Sequence, residues 1–535
     1  MGTIEQDGGE GNCNATEKPL NKVTSSSETR FTEIIQTLLE RRGKFQIMLI
    51  ILLCLNSIII GINHTITTFH IYVPNFFCRD NVKATCGHYV NGTECPSGYS
   101  FDEVDDRSVA VEFQTVCSRA MLAPMINSLY FVGVTLGALI CSSLCDIYGR
   151  YKLVVICLYG QALMALGQYY ADSLQLFSIF RLAQGFFIQG LQTCSYTLML
   201  EYCPSRYRTI AATYWESNWA IGLGILGVVS YFIRDWRLLT LALTAPALLS
   251  LAYIWIFPES IVWLEAKGRR REAFALVQKI AKFNGDSDIY EECQSMGLVE
   301  RAEENTQLLR NESQPRPPPN SSVEKISLGI IAKNVVLRKH LISMICVWFS
   351  VTLSYYGILY FLPNLAGQRH LNFEIGALIE LIAYILAYFI LSRFGRRIPM
   401  AFYQYANGIL ILLIAVLTAL PKGSYSEVWL ITITLLAKGF AVSSFCGMFI
   451  YCSELLPTVC RGLGLGLCGF SARCGSLLAP QLMALMRIMP AFIPLSVMSV
   501  LLLITATVTL WLPETLSTIL PNTIAEANRI WGKKK

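Results

Sequence analysis

A chain of 535 residues with 53% hydrophobic and only 15% charged side chains lies far from the soluble globular average of about 25% charged. That composition argues against a water-soluble enzyme or a nucleic-acid-binding protein and places the chain in a bilayer. The formal net charge of +6 therefore matters less than where the basic residues fall.

In chain order, residues 1–44 are a polar tail whose first 30, rich in Ser, Thr, Gly and Glu, are expected to be disordered. So long a polar lead also rules out a cleavable signal peptide at the first apolar stretch. Runs of roughly 20 apolar residues, enough to span a hydrocarbon core of about 30 Å, follow near 45–71, 122–144, 153–170, 176–200, 210–233 and 238–257. After a polar linker at 259–340, six more run near 341–362, 373–391, 398–420, 428–451, 463–486 and 492–512. The pattern predicts an all-α membrane protein of twelve transmembrane helices in two six-helix halves, 45–258 and 341–513, with a short tail at 514–535. The linker holds a charged run, Ala266–Asn284, expected to be helical, and a Pro-rich end at 315–319.

Short basic loops set the orientation. Gly149-Arg150-Tyr151-Lys152, Lys267 to Arg271, Arg393 with Arg396-Arg397, and Lys533 to Lys535 fall on one side, which the positive-inside rule assigns to the cytoplasm. Both termini are then inside, and the loop at about 72–121 is outside. That loop carries Cys78, Cys86, Cys95 and Cys117, which can pair in three ways, and the acceptor Asn91-Gly92-Thr93; a disulfide-braced, glycosylated cap is expected on the oxidising side. Acceptor patterns at Asn14, Asn311 and Asn320 fall on the inner side and are expected to be idle. The remaining cysteines lie mostly in apolar spans as small hydrophobes. Cys141 and Cys145 lack a second ligand pair, so neither a metal nor a cofactor is expected.

The chain also repeats itself. Glu201, Pro204 and Arg208 are echoed by Glu454, Pro457 and Arg461 at one offset of about 253 positions. Gly149-Arg150 returns as Gly395-Arg396, and Phe257-Pro258-Glu259-Ser260 as Leu512-Pro513-Glu514-Thr515. A shared offset implies duplication, and duplicated membrane halves are how many secondary transporters build a central site that opens to either side in turn. Soluble-enzyme signals fail in context: Gly464 to Gly469 and Gly222 to Gly227 fit G-x-G-x-x-G but lie inside spans, where small residues let helices approach. The chain has no phosphate-binding loop, nucleophile elbow or zinc-protease motif, so enzymatic activity is not expected. His64 and His70, at the outer end of the first span, are expected to be interfacial.

Asp146-Ile147-Tyr148-Gly149-Arg150 and Gly395-Arg396-Arg397 resemble the two copies of the major facilitator signature. The ending Glu112-Phe113-Gln114-Thr115-Val116-Cys117, the run Tyr231 to Arg237, Pro258-Glu259-Ser260 and Ser453-Glu454-Leu455-Leu456-Pro457-Thr458 together resemble the solute-carrier family of organic cation, organic anion and carnitine transporters over roughly 43–530. The resemblance implies the major facilitator fold, no enzymatic activity, and a plasma-membrane carrier acting as a monomer on a small organic ion, with a coupling ion or counter-substrate. It also implies gating by Asp146, Gly149, Arg150, Glu201, Arg208, Arg396, Glu454 and Arg461. Here the glutamates could pair with Arg150 and Arg396 or with Arg208 and Arg461 to hold the inner face shut. The chain departs from the pattern at Ile147, where a basic residue is usual, and at Ile261-Val262, where Pro-Arg is usual. Such changes weaken the charge latch.

Charges placed mid-membrane cost at least about 2.5–3.5 kcal/mol and usually face a cavity. Arg473, Glu380, Glu216, Lys438 and Arg181 form this set. By resemblance, anion and carnitine members carry arginine where Arg473 stands, so a carboxylate or sulfate is the expected partner; an internal pair with Glu380 is the structural alternative. Trp215 and Trp219, with Trp348, Tyr355 and Tyr356, offer aromatic faces that can hold a quaternary ammonium. Tyr384 stands where many anion carriers have lysine. The expected activity is transport of organic anions or carnitine-like zwitterions, with an organic cation facilitator, or a transporter-shaped receptor that does not transport, as alternatives.

Overall fold

The computed structural model describes residues 20–79, 95, 98–101, 107–249, 253–295, 333–362, 365, 368–421, 425–487, 489–516, 521 and 524–531. Cys86, Asn91, the other three acceptor asparagines, the Pro-rich run and the terminal lysines lie outside them. Twelve long helices carry the fold. The first half holds α1 (Lys44–His70), α2 (Leu122–Tyr148), α3 (Arg150–Tyr169), α4 (Leu174–Tyr202), α5 (Arg208–Phe232) and α6 (Trp236–Leu249). The second holds α7 (Val335–Phe361), α8 (Arg369–Phe394), α9 (Arg397–Ala419), α10 (Glu427–Leu455), α11 (Thr458–Ala484) and α12 (Phe492–Leu510).

Among the described residues, 9 helices are long and apolar enough to cross a membrane. The exceptions are instructive. Helix α6 is described only to Leu249, and α4 and α5 carry Arg181, Gln184, Gln189, Gln192, Glu216 and Asn218, side chains that face protein rather than lipid. Helix α7 begins earlier than expected, at an Asn334 cap that accepts from the N–H groups of Val336 and Leu337. Residues 335–340 of the expected linker are thus its first turns.

Helices α2, α3 and α4 pack together, as do α1 and α5; in the second half, α7 packs on α11 and α9 on α10 and α12. The halves meet along two equivalent seams, α2 with α11 and α5 with α8. Close approach has a visible cause. A Cβ on Gly222 would lie 2.6 Å from the Ile58 carbonyl oxygen of α1, and one on Gly133 would overlap the Leu182 carbonyl of α4.

Two faces can be told apart. The loop face carries strands β1 (Phe76–Cys78) and β2 (Tyr99–Phe101), antiparallel, with Cys78 bonded to Cys95 and Cys117 also disulfide-bonded. There Glu112 accepts from Trp236 Nε1 at 2.7 Å and pairs with Arg237 at 2.6 Å, joining two of the sequence motifs. Burial would raise the Glu112 carboxyl, but Arg237 and Trp236 hold it below the usual range.

The basic face carries a helix over Leu20–Glu40, which corrects the expectation of disorder through residue 30. Phe31, Ile34, Ile35 and Leu38 recur at helical spacing and are buried, with Phe31 stacked on Phe274 at 3.9 Å. Phe274 belongs to the linker helix Arg270–Asn284.

Candidate functional site

On the basic face, α2 ends at Gly149 and α8 at Gly395, with φ of 107° and 92°, a region that favours glycine. A Cβ would in any case lie 2.2 Å from Glu259 Oε2 at the first corner and 2.6 Å from Glu514 Oε2 at the second. Each glutamate accepts from the opening N–H groups of the next helix: Glu259 from Arg150 and Tyr151 at 2.8 and 3.1 Å, Glu514 from Arg396 and Arg397 at 2.8 and 3.0 Å. These unbonded N–H groups at a helix start suit a carboxylate. The arginines then reach across, Arg150 to Glu201 at 3.1 Å and Arg396 to Glu454 at 2.9 Å.

Of the two pairings open in the sequence, the structure takes Arg150 and Arg396. Arg461 leaves its buried Nε and Nη2 without a hydrogen-bond partner among the described residues, and Arg208 forms no pair with Glu201. Every one of these bonds stays inside its own half. The roles of Glu259 and Glu514 went unread in the sequence, although their repeated Pro-Glu was a signal.

In the membrane centre, Glu380 on α8 is wholly buried, its Oε2 3.3 Å from Lys438 Nζ on α10 and its Oε1 accepting from the Tyr355 hydroxyl at 2.8 Å. Tyr355 in turn accepts from Trp219 Nε1 of the first half at 3.1 Å. Glu216 on α5 adjoins Glu380 and Tyr384. The alternative that Glu380 pairs with Arg473 is corrected: Lys438 is its cation. Arg473, half-buried on α11, has one side-chain hydrogen bond among the described residues, to Gln192 Oε1 at 3.3 Å, and no carboxylate partner. Tyr356 is near enough to Arg473, Glu380 and Glu216 for all three charges to act on it.

Not every predicted side chain joins this centre. Trp215 packs edge-on against Tyr196 at 5.5 Å, and Trp348 meets Phe449 at 4.4 Å, nearer the basic face. Sequence reading placed His64 and His70 at the interface, but both are fully buried. His70 meets Thr240 Oγ1 at 3.1 Å beneath Trp236, because α6 lies over the end of α1. Arg181, also buried, bonds to Gln184 at 2.6 Å and to the Asn63 carbonyl at 2.8 Å, and lies 4.1 Å over the Tyr130 ring.

Bonds between the halves lie at mid-membrane and towards the loop face: Ser128 to the Leu477 carbonyl, Gln481 to Ser128, and Ser230 with His370, at 2.9, 3.1 and 3.0 Å. Along the same face of α11 below Arg473, a Cβ on Gly469, Gly466 or Gly462 would meet nothing within 4 Å. The halves are thus bonded towards the loop face, while nothing packs against these glycines of α11 towards the basic face.

A family model described as Major Facilitator Superfamily matches residues 118–480. The chain is similar to "Organic cation/carnitine transporter 2" of Homo sapiens, 30% identical over 446 residues that cover 82% of this chain and 75% of that protein. It is also similar to "Organic cation transporter protein" of Drosophila melanogaster, 32% identical over 453 residues covering 83% and 78%. Among solved structures it matches the inward open conformation of the xylose transporter XylE from E. coli, with a TM-score of 0.63 at 16% identity, covering 91% of this chain and 100% of that one. At that identity the likeness speaks for the fold alone. All three matches are transporters rather than enzymes.

Proposed function

The chain belongs to the major facilitator superfamily, in its solute-carrier family of organic cation, organic anion and carnitine transporters, and from that premise we propose that it carries small carboxylate-bearing ions, anions or carnitine-like zwitterions, by alternating access. One observation carries the reading: Arg473 offers a half-buried guanidinium at the centre whose one side-chain hydrogen bond among the described residues is to Gln192 at 3.3 Å. A carboxylate can take its remaining donors in a bidentate, charge-assisted contact. Glu380 and Lys438 neutralise each other, so they leave the positive charge of Arg473 in force. A cationic group on the same substrate would face Glu216, with Trp219, Tyr355, Tyr356 and Tyr384 around it.

The basic face is assigned to the cytoplasm, with the cysteine loop outside the cell and both termini inside. In this reading Arg150 with Glu201, and Arg396 with Glu454, brace each half so that it rocks as one body. Asp146, which pairs with Arg150 at 3.0 Å yet keeps its side chain 75% exposed, and Arg461 stand at the inner ends of neighbouring helices of opposite halves, placed to meet when the inner face shuts. Arg208 holds the matching place on α5. Arg461→Ala is then biased inward-open, and unchanged labelling by cytoplasmic cysteine probes counts against the gate.

Uptake of a labelled carboxylate, carnitine and a quaternary cation, in cells bearing wild type or Arg473→Ala at matched surface levels, tests the function. Carboxylate or carnitine uptake that collapses in the variant supports it. Uptake of the cation alone indicates a cation facilitator, and no uptake of any probe indicates a receptor.

A further inference from the structure

His64 has no assigned part in the centre described above. It lies on α1 with no exposed surface, its ring 5.3 Å from Trp219 of α5 and 5.5 and 6.0 Å from Tyr130 and Phe131 of α2. The guanidiniums of Arg181 and, from the opposite half, Arg473 both act on it. Nδ1 is 3.2 Å from the Tyr130 hydroxyl. Nε2, across the ring, has no hydrogen-bond partner among the described residues. A buried polar atom left unbonded is costly, and one at a site marks an absent partner.

The Tyr130 hydroxyl can donate to Nδ1, and the ring proton then sits on Nε2, a donor beside the aromatic wall with nothing to donate to. We infer that His64 is a substrate contact: its Nε2–H from the first half and the Arg473 guanidinium from the second grip the same carboxylate, with Tyr130 fixing the tautomer. Residues of opposite halves thereby share one ligand group. The inference rests on the carboxylate reading of Arg473 and adds the residue that tells a carboxylate from a neutral ligand of the same shape.

The test is benzoate binding to the purified full-length protein, read from the concentration dependence of Tm, in wild type, Arg473→Ala, His64→Phe and His64→Gln. Loss of a hydrogen bond to a charged group is expected to weaken benzoate about tenfold or more in His64→Phe. His64→Gln, whose amide N–H replaces Nε2–H, stays within about threefold of wild type. If benzoate binds through Arg473 and His64→Phe binds it as well as wild type does, the inference is overturned while the carboxylate reading stands. If benzoate shifts neither wild type nor Arg473→Ala, or shifts both alike, the two fall together. Should His64→Phe fail to fold, Tyr130→Phe releases the tautomer and is expected to weaken benzoate severalfold; unchanged affinity there overturns the inference.

Discussion

On the basic face Arg150 meets Glu201 and Arg396 meets Glu454 within 3.1 Å, each beneath a left-handed glycine and a capping glutamate; in the membrane centre nothing is said twice. At the offset of 253 that relates Glu201 to Glu454, Arg473 corresponds to Ala220 and Lys438 to Gly185. At the offset of 246 that relates the two glycine corners, Glu380 corresponds to Val134. Bracing must work alike in both halves of a rocking carrier, so both copies keep it. Recognition of an ion with unlike ends needs unlike walls, so the centre has lost its symmetry.

The comparison is sharpened most by Lys438→Met. It leaves Glu380 buried without a cation, which costs about 3–5 kcal/mol, and the Tm in detergent should drop accordingly. Adding Glu380→Gln should restore much of it. Next is Arg473→Ala, for which carboxylate affinity should fall about a hundredfold, or about 2.7 kcal/mol, while Ala220→Ser, at the corresponding place, leaves it within about twofold.

Gly149→Ala and Gly395→Ala should each cost about 1–3 kcal/mol through strain, and nearly equally. A large difference between them in Tm would break the claim that the corners are equivalent. The smallest effect concerns pH. Burial would raise the Glu514 carboxyl, but the N–H groups of Arg396, Leu516, Arg397 and Thr515 hold it below the usual value. A carboxyl lowered in the folded state stabilises fully above its unfolded pKa of about 4.3 and loses that effect as pH falls through the folded value. Glu514→Gln should therefore lower stability most at neutral pH and least in acid, flattening the acid limb of the stability curve below about pH 4.3.

The twelve helices and the duplicated corners were legible because apolar run length and repeated motifs are one-dimensional signals. The ion-pair choice was not: Arg150 and Arg208 are both in reach of Glu201 on paper, and only the fold brings Glu259 up to position the first. Lys438 escaped as the partner of Glu380 because the two lie on different helices with no sequence relation between them. His64 was misplaced for a similar reason. Its position at the end of an apolar run suggests an interface, and nothing local reveals that α2 and α5 cover it.

Three of the bonds across the seam on the loop face join neutral groups: a serine to a carbonyl, a glutamine to a serine, a serine to a histidine. Neutral hydrogen bonds net only about 0.5–1.5 kcal/mol each against water, so these three add a few kcal/mol at most to the closed gate. Shifting a two-state balance from 1:99 to 99:1 needs about 5.5 kcal/mol of preferential binding. Breaking bonds of that size lies within the binding energy of a ligand of ordinary affinity, and weak affinity also lets the cargo leave on the far side.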